Sequence, residues 1–136
     1  MHEEILSHIG DIIIFDGNAE FLLIPIPITE EKRIERGYNQ SEYIAKNILE
    51  NDVGHIMIYA PQWFSKIKNT PKQSTIQTRE ERLSNLTNSF EAKLGVRGKY
   101  IILIDDVVTT GSTLFEARKT LLSAGAKDIL AFTIAH

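Results

Sequence analysis

Apolar positions along this chain alternate between two rhythms, short unbroken runs and stripes at helical spacing. From residue 3 to residue 15, Ile5, Leu6, Ile9, Ile12 and Ile13 share one helical face, which predicts an amphipathic helix over a sheet and then a turn at Asp16-Gly17-Asn18. Phe21-Leu22-Leu23-Ile24 reads as a buried strand, closed by Pro25-Ile26-Pro27-Ile28, whose prolines lack the N–H that a ladder needs. A polar loop from Thr29 to Gln40 is expected to follow. Asn39, with Glu42 completing a capping box, then opens a helix to about Glu50 that buries Tyr43, Ile44 and Ile48, with Gly54 after its end. His55 to Ala60 forms a short strand, and Ser89-Phe90-Glu91-Ala92 suggests another.

The strongest run is Tyr100-Ile101-Ile102-Leu103-Ile104, four apolar residues in succession after Tyr100, as in a strand buried on both faces. It stops at Asp105-Asp106 and passes through Val107-Val108-Thr109-Thr110-Gly111-Ser112-Thr113. Leu114, Ala117, Leu121 and Leu122 then recur at helical spacing up to Gly125, and Asp128 to Ile134 forms a last strand. Strands alternating with helices predict an α/β fold with a mostly parallel, twisted sheet flanked by helices. A single domain over residues 1–136 is expected at this length, with no internal repeat or linker.

Chemistry concentrates where the central strand ends. Acids and hydroxyls occupy six of the nine positions from Asp105 to Thr113, more than capping a helix requires. Free N–H groups and the positive end of a helix dipole in that loop suit a phosphate. Gly111 permits close approach of the backbone, and Thr113 with Glu116 forms a second capping-box pattern. Two carboxylates at the carboxyl end of a buried strand accept hydrogen bonds from vicinal hydroxyls, so the combination implies a sugar phosphate.

Net charge is −3, which gives no general attraction to nucleic acid or anionic membrane, although residues 62–88 run against it. There Lys66, Lys68, Lys72, Arg79 and Arg82 face only Glu80 and Glu81. The segment reads either as a solvated excursion with Thr78 and Glu81 capping a helix through Leu86, or as a lid closing on an anion. With no cysteine, disulfides and Cys-ligated zinc are excluded, and His2, His8, His55 and His136 lack metal-ligand spacing. No basic leader or membrane-length apolar run is present, so a cytoplasmic protein without a membrane partner is expected. The Walker A pattern is absent, leaving an ATPase little support.

Ile102 to Thr113, an apolar run with two acids and then Thr-Thr-Gly-Ser-Thr, resembles the phosphoribosyl-pyrophosphate (PRPP) binding signature of type I phosphoribosyltransferases. Pro25-Ile26-Pro27 followed by Arg36-Gly37-Tyr38-Asn39-Gln40 is similar to the ComF competence-protein branch of that family. The same branch resembles this chain at Lys68, Thr70, Gln73, Arg79, Arg82 and Asn85, which favours the lid. The resemblance implies a type I phosphoribosyltransferase fold, with Asp105 and Asp106 on the ribose hydroxyls as catalytic residues. It places the 5′-phosphate on Thr109, Thr110, Gly111, Ser112 and Thr113. Pyrophosphate falls to a loop containing Ile26, Arg33, Arg36, Gly37, Tyr38, Asn39 and Gln40, with Arg33 or Arg36 contacting it. Mg²⁺ would be held mainly by PRPP, with no direct protein ligand.

Implied is a Mg²⁺-dependent transfer of phosphoribosyl to an unidentified nitrogen acceptor with release of pyrophosphate, in a homo-oligomer. The alternative is a non-catalytic PRPP-binding accessory of DNA uptake and natural competence, contacting single-stranded DNA or a helicase, with Trp63 or Phe64 stacking on bases. ComF chains commonly begin with a cysteine-rich, zinc-binding stretch. Its absence here implies loss of that segment or an isolated transferase domain.

Overall fold

The computed structural model describes residues 1–67, 89–107 and 112–135. Helix α1 (His2–Phe15) precedes strand β1 (Phe21–Pro25), two helices α2 (Glu30–Arg36) and α3 (Gln40–Glu50), and strand β2 (Met57–Tyr59). A 3₁₀ turn (Pro61–Trp63) leads into β3 (Phe64–Lys66), and β4 (Phe90–Ala92) is followed by a second 3₁₀ turn (Leu94–Val96). The central strand β5 (Tyr100–Val107), helix α4 (Ser112–Ser123) and strand β6 (Asp128–Ala135) complete the chain.

Four strands form a parallel sheet in the order β2-β1-β5-β6. The chain moves outward in opposite directions from the central pair, β1 to β2 and β5 to β6. Right-handed crossovers therefore lay α3 and α4 on opposite faces. Strand alternation sorts the core accordingly. Phe21, Leu23, Ile102 and Ile104 meet Ile5 and Ile9 of α1 and Ile44, Ala45 and Ile48 of α3. Leu22, Ile24, Ile101 and Leu103 meet Ala117 and Leu121 of α4 together with Phe64 and Phe90. Each such buried aliphatic side chain stabilises the fold by about 1.5–3 kcal/mol, which is why the unbroken apolar runs occupy the two central strands.

At the amino edge of the sheet, Asp16 accepts hydrogen bonds from Lys127 Nζ (2.8 Å) and Tyr100 Oη (3.1 Å), tying the turn after α1 to β5 and β6. The bond from Lys127 holds Asp16 below the usual carboxylate range against the opposing effect of desolvation. This network lies at the end of the sheet opposite the paired acids and is structural.

Several expectations change. Residues Glu30–Arg36 are a helix, not loop: Thr29 Oγ1 accepts from the Lys32 N–H, acids occupy the first turn, and Gly37 terminates it in the left-handed conformation at φ 83°. Tyr43 is exposed; α3 buries Ser41, Ile44, Ala45 and Ile48, at spacings of three, four and seven residues. On α1, Ile5 and Ile9 are buried, Ile12 packs partly, and Ile13 turns outward. β2 is shorter than predicted, because His55, at φ 50°, still belongs to the preceding turn. Phe64–Lys66 adds an unpredicted strand, paired antiparallel with β4. α4 already contains Thr113, so that residue is not its cap. The helix proposed through Leu86 lies outside the described residues. Among the described residues, no helix is long and apolar enough to cross a membrane.

Candidate functional site

The site grows from the carboxyl end of β5. Asp105 is buried, and its Oδ1 accepts the Asp106 backbone N–H at 2.9 Å, fixing the first carboxylate against the strand end. Pleating sends neighbours to opposite faces, so Asp106 follows Ile102 and Ile104 toward α3 while Asp105 follows Ile101 and Leu103. Beside them β1 ends at Pro25, which pairs with Ile104, and the Ile26 N–H donates to the Ile104 carbonyl at 2.7 Å. The β1–β5 boundary, where the crossovers diverge, is the topological switch point of the sheet.

Asn39 holds the next segment over that boundary. Its Nδ2 donates to the Ile26 carbonyl (3.1 Å), and its Oδ1 accepts the Ser41 N–H (3.1 Å), so one buried side chain both caps α3 and staples the preceding turn to the end of β1. The cap expected of Asn39 is present, but Glu42 does not complete a box; it takes Arg33 at 2.9 Å and Lys46 at 3.2 Å instead. A cleft of about 430 Å³ opens between this turn and β5, lined by Arg36, Tyr38, Gln40 and Asp106.

Arg33 and Arg36 thus part company. Arg33 grips Glu42 of α3 through both guanidinium nitrogens, at 2.9 and 3.4 Å. Desolvation pushes the Glu42 carboxyl upward, but the hydrogen bonds and charges of Arg33 and Lys46 together outweigh it and hold Glu42 below the usual carboxylate range. Arg36 lines the cleft with Asp106. Lys66, the last residue of β3, carries its Nζ over the Phe90 ring, 5.7 Å from the centroid. Burial pushes the Lys66 ammonium below the usual lysine range, Lys32 and Arg36 add repulsion, and Asp105 opposes them. Lys32 and Arg36, four residues apart, share one side of α2. The sequence places Lys66 in the basic segment that reads as a solvated excursion or a lid, and gives Lys32 no role.

Of the other expected residues, Ile26 is buried, Gly37 makes the positive-φ turn, and Gln40 begins α3. Thr113 is half-buried in the first turn of α4, where Ser112 begins the helix. Thr109, Thr110 and Gly111, and the lid residues Lys68, Thr70, Gln73, Arg79, Arg82 and Asn85, lie outside the described residues. Phe64 is not available to stack on bases, and Trp63 is partly buried. Phe64 is buried against Phe90 with ring centroids 5.0 Å apart, and the Trp63 indole packs so closely on Gly95 that no Cβ would fit there.

Among the described residues, no cluster of three or more His, Asp or Glu side chains could hold a metal. The carboxylates of Asp105, buried at the strand end, and Asp106, in the cleft lining, are hard oxygen donors of the type that Mg²⁺ takes.

Solved structures share this architecture. The allosteric regulatory enzyme of purine biosynthesis matches 89% of this chain with 23% of its own, at a TM-score of 0.51 and 16% identity. Glutamine PRPP amidotransferase from B. subtilis, complexed with ADP and GMP, matches 85% with 22% of its own, at 0.51 and 17% identity. These likenesses establish the type I phosphoribosyltransferase fold. Among curated proteins, competence protein ComFC of Bacillus subtilis is 37% identical over 86% of this chain, and DNA utilization protein YhgH of Salmonella typhi is 32% identical over 79%. The chain spans 45% of the length of each. With the phosphoribosyl transferase domain model matching residues 62–136, the chain belongs to the phosphoribosyl transferase domain family.

Proposed function

We propose that this domain binds Mg-PRPP at the carboxyl edge of its sheet and transfers the phosphoribosyl group to a nitrogen nucleophile. The observation that carries the reading is the meeting of Asp106, the second of the paired acids, with the Arg36–Gln40 turn in one cleft at the switch point. The carboxylates accept hydrogen bonds from the ribose hydroxyls, and they stabilise the electron-poor ribosyl carbon as the bond to pyrophosphate lengthens. Arg36 meets the diphosphate oxygens, while the turn stapled by Asn39 holds it in place. The residues Thr109 to Thr113 take the 5′-phosphate, and the segment containing Lys68, Thr70, Gln73, Arg79, Arg82 and Asn85 closes over the site and keeps water from the reacting carbon. In the step itself the C1′–O bond breaks, pyrophosphate leaves with the electron pair, and the acceptor nitrogen forms the new bond to C1′ and releases its proton. Bound Mg²⁺ supplies charge neutralisation on the diphosphate.

Calorimetric titration with PRPP, with and without Mg²⁺, followed by measurement of pyrophosphate release with a panel of bases and ammonia, tests this. Binding with release establishes a transferase; no binding overturns the proposal. The names of the relatives, competence protein and DNA utilization protein, favour a second reading in which the PRPP site serves an accessory of DNA uptake without turnover. Binding without release under every acceptor would select it.

A further inference from the structure

Arg36, Tyr38, Gln40 and Asp106 line the cleft at the carboxyl edge, and the diphosphate and the ribose occupy only Arg36 and Asp106. Tyr38 and Gln40 remain. The Tyr38 ring is 59% exposed, and among the described residues it stacks on no other ring and its hydroxyl forms no hydrogen bond. Filling the core is therefore not its task. The Gln40 amide is exposed as well and has no hydrogen-bond partner among the described residues. Yet the backbone beneath both is held. Gly37 turns the chain in the left-handed conformation, and Asn39, lying between Tyr38 and Gln40, is buried and fastened to the Ile26 carbonyl and the Ser41 N–H. A fixed backbone that presents a free aromatic ring and a free amide to a cleft lowers the ordering cost of binding there.

We infer that Tyr38 and Gln40 form a subsite for a planar heterocyclic base, with the ring stacking on its face and the amide reading its edge. Any base has a face on which an aromatic ring stacks. A primary amide offers an acceptor beside two donors, the pattern that pairs with adjacent donor and acceptor groups on a base edge. Phosphate lacks both features, and the electron-rich face of a tyrosine ring gives its oxygens no attraction, so this pair suits a ligand other than the diphosphate that Arg36 takes. The inference rests on the reading that PRPP occupies this cleft, and it names the class of acceptor: a nitrogen heterocycle and not ammonia. Because Asp106 lines the same cleft, a base on Tyr38 shares that space with the ribose that Asp106 receives. The same chemistry fits a base presented by single-stranded DNA, with Tyr38 as the stacking residue in place of Phe64, whose ring is in the core.

Adenine, guanine, uracil and a short oligothymidylate, each titrated into the full chain alone and with Mg-pyrophosphate and followed by chemical-shift changes, test the subsite. Tyr38→Ala removes the ring and Tyr38→Phe keeps it. Gln40→Glu exchanges the amide donors for acceptors, and Tyr43→Ala removes another tyrosine, 65% exposed on α3 and outside the cleft lining. Y38A is expected to lose affinity for bases by about fivefold or more, the effect of deleting one stacking contact. Y38F is expected within about twofold of the parent and Y43A unchanged, while Q40E changes the order of preference among the bases. PRPP affinity, measured by calorimetry, is expected to stay within about threefold in Y38A, because the ring makes no charge-assisted contact. Circular dichroism establishes that each variant is folded. If Y38A binds bases as the parent does, or the parent binds no base in either form, the subsite is wrong while the PRPP reading stands on its own titration. An equal loss of PRPP and base in Y38A also overturns it, since the ring would then serve PRPP. If the parent binds bases through Tyr38 but not PRPP, the PRPP reading falls and the subsite survives. Tyr38-dependent binding of the oligothymidylate without binding of free bases supports the subsite with single-stranded DNA as the source of the base.

Discussion

Two arginines three positions apart on one short helix face different partners, and only structure separates them. Arg33 is spent on Glu42, whereas Arg36 turns to the cleft that Asp106 lines. Arg36→Met is therefore expected to weaken PRPP binding by about tenfold or more, since a bidentate guanidinium contact to phosphate is lost. Arg33→Met should change affinity by less than about threefold, with a stability cost of about 1 kcal/mol, because the Arg33 side chain is about half exposed and Glu42 keeps Lys46 as a partner. Calorimetry on the two variants decides this, and equal losses would reverse the assignment. Sequence alone left the choice open because both residues sit in the same charged run. Asp105 and Asp106 were readable from sequence for a simple reason: carboxylates ending a fully apolar run have no role in its core. The carboxyl edge accounts for them.

Among elements, α2 was hidden and α3 was plain. α3 carries a buried stripe at helical spacing, but the sole aliphatic residue of α2, Ile34, is exposed, so a reading based on apolar periodicity saw only a charged loop. Its signals were at its ends, Thr29 before two acids and Gly37 after Arg36. Thr29→Ala should cost about 1 kcal/mol in a denaturant titration by removing the hydrogen bond to the Lys32 N–H. It should also weaken PRPP binding as Arg36 loses its footing, and an unchanged affinity would show that the turn stapled by Asn39 suffices. The clamp at the other edge makes a pH prediction. Asp16 has its folded pKa lowered, chiefly by the bond from Lys127, so the unfolded chain takes up this proton first on acidification. The stability it contributes is present above the ordinary aspartate value, about pH 4, and is lost as pH falls through the lower folded value. Asp16→Asn should flatten the acid limb of the stability curve below about pH 4, measured as urea midpoints; parallel limbs for variant and parent would remove the clamp from the account.

For the whole molecule, the order β2-β1-β5-β6 joins stability to function. The same divergence of crossovers that buries β1 and β5 on both faces leaves a crevice at their carboxyl ends, and the cleft there is lined by groups from α2, β5 and the start of α3 at once. The parallel sheet was readable from its unbroken apolar runs. The β3–β4 pair was not, because three-residue strands carry too short a pattern and their partners are far apart in the chain. Binding across so many elements must stabilise the native state by mass action, by about 2.7 kcal/mol when the ligand stands at a hundred times its dissociation constant. For a domain of this size that is a rise in Tm of several degrees. The paired variant Asp105→Asn/Asp106→Asn keeps an oxygen to accept the Asp106 N–H, so its melting temperature without ligand should stay close to the parent's. Its rise with Mg-PRPP should vanish, because neutral amides no longer give charge-assisted acceptors for the ribose hydroxyls. Differential scanning calorimetry on both proteins reads the two quantities in one experiment. A ligand-induced rise that survives the double substitution would move PRPP away from the end of β5, while a large fall in the ligand-free Tm would mean that the acids serve the fold before they serve a ligand.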